Sequence, residues 1–286
     1  MLIDTHAHLN FNAYKDDAEE IIKSCLDNNI WMINAGSQYS TSRRAVKIAE
    51  KYPEGVYAAV GLHPAHLETK IIKIKDDIQE IENEYETREE EYDYEKYKEL
   101  ALSSKVVAIG EIGLDYLYQP KNEIEQELFK AKQKEIFLKQ LNLARDLNLP
   151  VIFHCRKAYQ DLLEILKSQN VKPQGVVHCF TGSWKQAEEY LELGLYLGFN
   201  GLIFKMNLNE VIKKIPLEGI LIETDCPYLS PPAYQKERNT PLSLKYIVQR
   251  IAEIKETDAE KIIAATFQNA KNLFKIGNQK NLSCFG

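Results

Sequence analysis

Residues able to bind metal ions or carry protons recur in this chain at the C-terminal ends of short apolar runs. His6 and His8 close the first run, His63 the third, Glu111 the fourth, His154 the fifth, His178 the sixth and Asp225 lies just past the eighth. Between the runs the apolar spacing changes from two to three or four, as when a strand gives way to a helix. A chain that repeats strand and helix eight times has few ways to bury its strands. Closing them into one parallel barrel does so, and brings every strand's C-terminal end to the same rim. The expected fold is therefore α/β, a single-domain TIM (β/α)8 barrel over residues 1–286, with its chemistry on one face.

The first strand, Leu2 to Asn10, places His6 and His8 on one face, because residues two apart on a strand point the same way. Neutral imidazoles aimed at one point suit a divalent transition metal, and carboxylates complete such a shell. A histidine at a strand end is more often structural than ligating. Five of the six histidines at strand ends, together with two carboxylates, do not fit that explanation. His66, further into its loop, reads as structural.

The remaining predicted strands are Ile30–Ser37, Val56–His63, Lys105–Leu114, Pro150–Cys155, Gln174–Phe180, Leu195–Asn200 and Gly219–Thr224. Helical spacing marks Asp16–Asn28, Thr41–Tyr52 with Pro53 as its stop, a long helix through about Asn148, and Lys157–Ser168. Ser183-Trp-Lys-Gln186 reads as a capping box and Thr257-Asp-Ala-Glu260 caps a last helix ending near Phe274. Lys70 to Ser103 stands apart. Ile71, Ile74, Ile78, Ile81, Tyr85 and Tyr92 recur there at intervals of three or four or a multiple, predicting an acidic helical insertion at about 70–103.

Between Lys75 and Glu99 there are 12 acidic and 4 basic residues, a net of -8, so with -6 overall the rest of the chain carries +2. Whole-chain charge thus neither favours nor excludes a polyanionic substrate, since the field near the site decides. No signal peptide and no apolar span of membrane length is read, and the five cysteines are an odd number, so a cytoplasmic protein with free thiols is expected. Strand alternation turns Cys155, Cys179 and Cys226 outward as buried thiols and Glu223 inward, as a partner for a ligand or a cation.

Asp4-Thr-His-Ala-His8, Gly61-Leu-His-Pro64, Ala108-Ile-Gly-Glu-Ile-Gly-Leu-Asp-Tyr116, Pro150-Val-Ile-Phe-His-Cys-Arg156, His178-Cys-Phe-Thr-Gly182, Glu223-Thr-Asp-Cys-Pro-Tyr228 and Arg238-Asn-Thr-Pro241 run nearly end to end. In these stretches the sequence resembles the TatD family of metal-dependent hydrolases, within the amidohydrolase superfamily. It departs from the family at Tyr234-Gln-Lys-Glu237, which lacks a glycine-basic pattern, and in the long acidic insertion. The resemblance implies a deoxyribonuclease with one or two divalent ions (Mg, Mn or Zn). By position His6, His8 and Asp225 would hold the first ion, His154 and His178 the second, and Glu111 would bridge them in place of the carbamylated lysine of many superfamily relatives.

The chemistry implied is attack on phosphorus by a metal-activated water, with Asp225 and Glu111 as catalytic residues and Asp225 as proton acceptor. Arg156 is a candidate phosphate clamp, although it could instead pair with Asp115 or Glu223, and His63 is a candidate donor to a phosphate oxygen. The first reading is an exonuclease-type phosphodiesterase with DNA as its partner, single-stranded ends among the candidate substrates. The second is hydrolysis of a small amide, lactone or ester at the same centre, and a third, metal binding without turnover, is disfavoured by the complete set of ligands plus base. Against the nuclease stands the lack of a basic run or aromatic ladder, an objection that is mild for an enzyme gripping only a terminus. No obligatory protein partner is indicated.

Overall fold

The computed structural model describes residues 1–69, 71–76, 81–169, 172–234 and 238–277. In chain order come β1 (Leu2–Ala7), α1 (Ala18–Asp27), β2 (Ile30–Ala35), α2 (Tyr39–Ala49) and β3 (Val56–Val60), then β4 (Ile71–Asp76), β5 (Ile81–Glu86) and α3 (Tyr94–Ala101). β6 (Val106–Asp115), α4 (Glu123–Asp146), β7 (Val151–Arg156), α5 (Tyr159–Ser168) and β8 (Gly175–Val177) follow. The chain continues through α6 (Trp184–Glu192), β9 (Tyr196–Phe199), α7 (Asn209–Lys214), β10 (Ile220–Ile222), α8 (Leu244–Lys255) and α9 (Ala259–Phe274).

Eight of these strands form one parallel sheet in the order β1-β2-β3-β6-β7-β8-β9-β10. The seam between its ends is spanned by Thr5 Oγ1 donating to the Ile222 carbonyl at 3.1 Å, Asp225 N–H to His6 at 2.9 Å and His8 N–H to Cys226 at 3.0 Å. Asp4 ties the same seam by accepting from the Thr224 amide and hydroxyl. The sheet is thus a nearly closed barrel wrapped by helices, as expected of a TIM barrel.

The barrel floor is apolar. Ile3, Ile33, Ala59, Val107, Ile152, Val176 and Leu221 face one another there, and Leu273, Phe274 and Ile276 at the end of α9 close it from below. A dry floor lowers the local dielectric beneath the rim and strengthens the electrostatics above it.

β1 carries an extra residue. Asp4 aligns with Met32 and Ala7 with Asn34, three steps on one strand against two on the other. Ile3 points into the barrel, so unbroken alternation would send His6 and His8 outward, and the irregularity re-aims both into the mouth. A similar shift between Ile109 and Ile112 on β6 surrounds Glu111.

Two sequence expectations change. The acidic helical insertion at 70–103 is instead an antiparallel pair, β4 and β5, followed by the short helix α3, with Ile78 outside the described residues. The two strands pair from Ile71 opposite Glu86 to Asp76 opposite Ile81, and the β-branched isoleucines of the sequence favour a strand that the helical interval obscured. The predicted strands Gln174–Phe180 and Gly219–Thr224 shorten to β8 and β10. Beyond each, the backbone turns left-handed, at Cys179 (φ 49°) and Asp225 (φ 56°). No helix among the described residues is long and apolar enough to cross a membrane.

Candidate metal centre

Glu111 sits at the middle of the mouth, and its two carboxylate oxygens face different nests of imidazole. Oε2 lies 3.3 Å from His6 Nε2 and 3.9 Å from His8 Nε2. Oε1 lies 2.6 Å from His154 Nδ1, 2.7 Å from His178 Nε2 and 3.4 Å from His63 Nε2. Asp225 joins the first nest, its Oδ1 at 3.3 Å from His8 Nε2 and 3.7 Å from His6 Nε2. The left-handed backbone at Asp225 is an uncommon conformation for a non-glycine residue, and the seam hydrogen bond from its own amide holds it there.

For three of the rings a partner on the far side sets which nitrogen looks inward. His8 Nδ1–H donates to the Ala35 carbonyl at 2.9 Å, leaving Nε2 bare toward Asp225. His154 Nε2 meets Asp115 Oδ2 at 3.1 Å, leaving Nδ1 toward Glu111. The Ala65 N–H donates to His63 Nδ1 at 3.0 Å, so a neutral His63 carries its proton on Nε2 and presents a donor to the mouth. Glu223 is fully buried and accepts from the Cys179 amide and Asn200 Nδ2, with His178 Nδ1 at 3.5 Å.

Burial pushes the Glu111 carboxyl up, but the charges of His178, His63 and His6 and the hydrogen bond from His154 outweigh it, holding it well below the ordinary carboxylate value. Asp225 is likewise raised by burial and lowered further by His8, His6 and His178, ending below its ordinary value. At Asp115, burial is overcome chiefly by His154, and its carboxyl falls to about 2. The centre keeps its carboxylates ionised.

The donor set fits divalent ions. His6 Nε2 and His8 Nε2 lie 3.1 Å apart and His154 Nδ1 and His178 Nε2 3.2 Å apart. Two atoms sharing one ion at ~2.0–2.2 Å stand roughly 3.3–3.5 Å apart in a tetrahedral shell, so both nests have nearly the right span. His6 with His8 and Asp225, and Glu111 with His154 and His178, are each compact enough to hold an ion.

All eight residues singled out from the sequence therefore lie at one rim. Arg156 is the outermost, half-exposed, with Nη1 3.9 Å from Asp115 Oδ2. Cys155 and Cys226 are buried, as expected, with thiols pushed up to about 12 by burial. Cys179 is only half-buried, because β8 ends at Val177 and alternation no longer governs it. The stretch 235–237 lies outside the described residues. Sequence reasoning missed Asp115 as the partner of His154, although alternation from Glu111 along β6 places it on the same face. It also passed over Phe11, whose ring stacks on His8 with centroids 4.2 Å apart, and Tyr228.

A parallel barrel that gathers histidines and carboxylates at its strand ends defines the class, a metal-dependent hydrolase. The chain belongs to the family described as TatD related DNase, whose profile matches residues 3–275. It is 39% identical over 281 residues to the uncharacterized metal-dependent hydrolase YabD of Bacillus subtilis, covering 96% of this chain and 100% of that protein. It is 31% identical to the 3'-5' ssDNA/RNA exonuclease TatD of Escherichia coli, covering 96% and 99%. Among solved structures, YjjV, a TatD homolog from Escherichia coli, superposes with a TM-score of 0.79 at 30% identity, covering 96% of this chain and 98% of that one.

Proposed function

We propose that this protein is a nuclease that removes nucleotides from the 3' end of single-stranded DNA, in which His6, His8 and Asp225 would hold one divalent ion, His154 and His178 a second, and Glu111 would serve both. The observation that carries the reading is the placement of Glu111, one oxygen against each histidine nest. A dinuclear site of this kind is suited to in-line displacement at a phosphodiester, and the name of the Escherichia coli relative supports the substrate and polarity. Divalent ions there supply Lewis acidity to a phosphoryl oxygen and lower the pKa of water enough to make it a nucleophile near neutral pH.

The side chains do the rest. Asp225, ionised and at the edge of the first nest, accepts the proton of the attacking water. His63 donates through Nε2–H to a phosphate oxygen, since Ala65 occupies its other nitrogen. Arg156, exposed at the mouth and only loosely paired with Asp115, clamps a neighbouring phosphate. The reduced cytosol is the proposed compartment, supported by four free cysteines among the described residues.

Elemental analysis of the purified protein, with turnover of a 5'-labelled single-stranded oligonucleotide beside a panel of small esters, lactones and amides, tests this reading. The expected result is bound divalent metal and a ladder shortening from the 3' end. Intact DNA with efficient lactone or amide hydrolysis would replace the nuclease by the small-substrate alternative.

A further inference from the structure

Two aromatic rings flank the centre without serving the core. Tyr228 is 43% exposed, uncommon for a large ring beside a buried polar site. It lies three residues past Asp225, on the loop that leaves β10 at the mouth, and burial with the charges of Asp225 and Glu111 pushes its hydroxyl up to about 12. Phe11 is half-buried and stacks on His8 at an interplanar angle of 21°. The two residues follow β10 and β1, the strands that meet at the seam.

The backbone of both residues is held by a buried scaffold. Tyr228 N–H donates to the Asp225 carbonyl at 3.0 Å, and the Tyr228 carbonyl accepts from fully buried Asn239 Nδ2. Asn239 also donates to the Thr224 carbonyl and accepts from the Ser243 hydroxyl. Phe11 N–H bonds to the His8 carbonyl at 2.9 Å, Arg44 grips the Asn10 carbonyl at 2.8 Å, and Arg238 reaches the Ala13 carbonyl and Asp17. The Arg238-Asn239-Thr-Pro241 stretch thus braces both aromatic loops. Across the mouth, on β7 halfway round the sheet order, Arg156 lies over Tyr118 with its guanidinium carbon 5.7 Å from the ring centroid. Tyr228 and Phe11 thus stand on the seam side of the mouth, and Arg156 with Tyr118 on the side opposite.

Resting on the nuclease reading above, we propose that Tyr228 and Phe11 form a stacking seat for the nucleobase of one of the two nucleotides flanking the scissile phosphate, giving the enzyme its preference for unpaired ends. Every base has a π-face, so such a seat grips any sequence, whereas a base paired inside a duplex cannot turn onto it. Loops whose backbone is already fixed lose little conformational freedom on binding, so a small seat can suffice.

The test is a cycle between protein and substrate, run with metal-loaded full-length enzyme. The substrates are single-stranded oligonucleotides, unmodified or with a tetrahydrofuran abasic analogue at the 3'-terminal or the penultimate position. On unmodified DNA, Tyr228→Ala is expected to lower kcat/KM by roughly 5- to 100-fold, mainly through KM, with Phe11→Leu acting in the same direction. Tyr228→Phe, which keeps the ring, recovers most of the loss. At one of the two positions the abasic analogue costs the wild type a similar factor but costs Tyr228→Ala little more. Losses that multiply at both positions overturn the seat, as does a Tyr228→Phe variant as impaired as Tyr228→Ala, because the hydroxyl would then be the active part. Either result leaves DNA cleavage standing. A wild type that cuts no DNA yet hydrolyses a lactone removes both the seat and the nuclease reading.

Discussion

Asp225 concentrates the site's demands on one residue, with a left-handed backbone, a buried carboxylate and contact with two imidazoles. Asp225→Asn keeps the shape but cannot accept a proton, so turnover should fall by roughly two to four orders of magnitude while the far-UV spectrum stays that of the wild type. Near-normal turnover would move the base elsewhere. His66 makes a different claim. Its Nδ1 is buried without a hydrogen-bond partner, and burial, reinforced by His63, lowers its pKa from 6.5 to about 4. The folded chain thus binds this proton more weakly than the unfolded chain, so the stability is complete above about pH 6.5 and declines as pH falls toward 4. At pH 5 this group alone should cost the wild type about 2 kcal/mol relative to pH 8, a share of the decline that His66→Gln escapes. Parallel urea titrations of the two proteins at both pH values measure the difference. Equal declines would show that His66 stays solvated.

At the scale of elements, α4 works as a clamp as well as a wall. Gln133 and Gln140 lie on one buried stripe of it, and each side chain pairs with both polar groups of one peptide-bearing residue. Gln133 accepts from the Asp115 amide at 2.8 Å and donates to its carbonyl at 2.9 Å, and Gln140 does the same for Leu62 at 2.8 and 3.0 Å. The helix thereby fixes the backbone of the residue that orients His154 and of the one before His63. Gln133→Leu fills the space but strands a buried N–H and a buried C=O, at a cost of about 2–4 kcal/mol, read by chemical unfolding. Metal affinity should fall roughly 10- to 100-fold as the Asp115–His154 contact loosens. A stable variant that binds metal as tightly as the wild type would show that β6 holds Asp115 unaided.

The whole molecule carries a net charge of -6, which repels a polyanion at long range and leaves the rim to attract it locally. The KM for single-stranded DNA should therefore rise only gently with salt, with a log-log slope of about 0.7 for each of one or two phosphates neutralised. Arg156→Ala should flatten that slope by roughly one phosphate, while a neutral ester would show no slope with either protein. A steep slope unaffected by Arg156→Ala would place the binding surface away from the mouth.

What the sequence determined by itself was the barrel and its rim. Period-two apolar runs, most of them ending in a histidine or followed by a carboxylate, place His6, His63, His154, His178 and Asp225 at strand ends, and parallel closure brings strand ends together. The tertiary structure alone decided the rest, because it depends on pairings between residues distant in the chain. The irregularity that turns His6 and His8 inward exists only against β2, and Asp4 meets Thr224 across 220 residues. The insertion's apolar residues satisfied a helical interval, yet cross-strand pairing made two antiparallel strands of it, β4 and β5. Gln133 and Phe11 carry no motif that marks them, and Asp115 and Tyr228 lie inside the family stretches, which name no role for them. Their roles arise from what closure of the barrel puts beside them, which local periodicity does not encode.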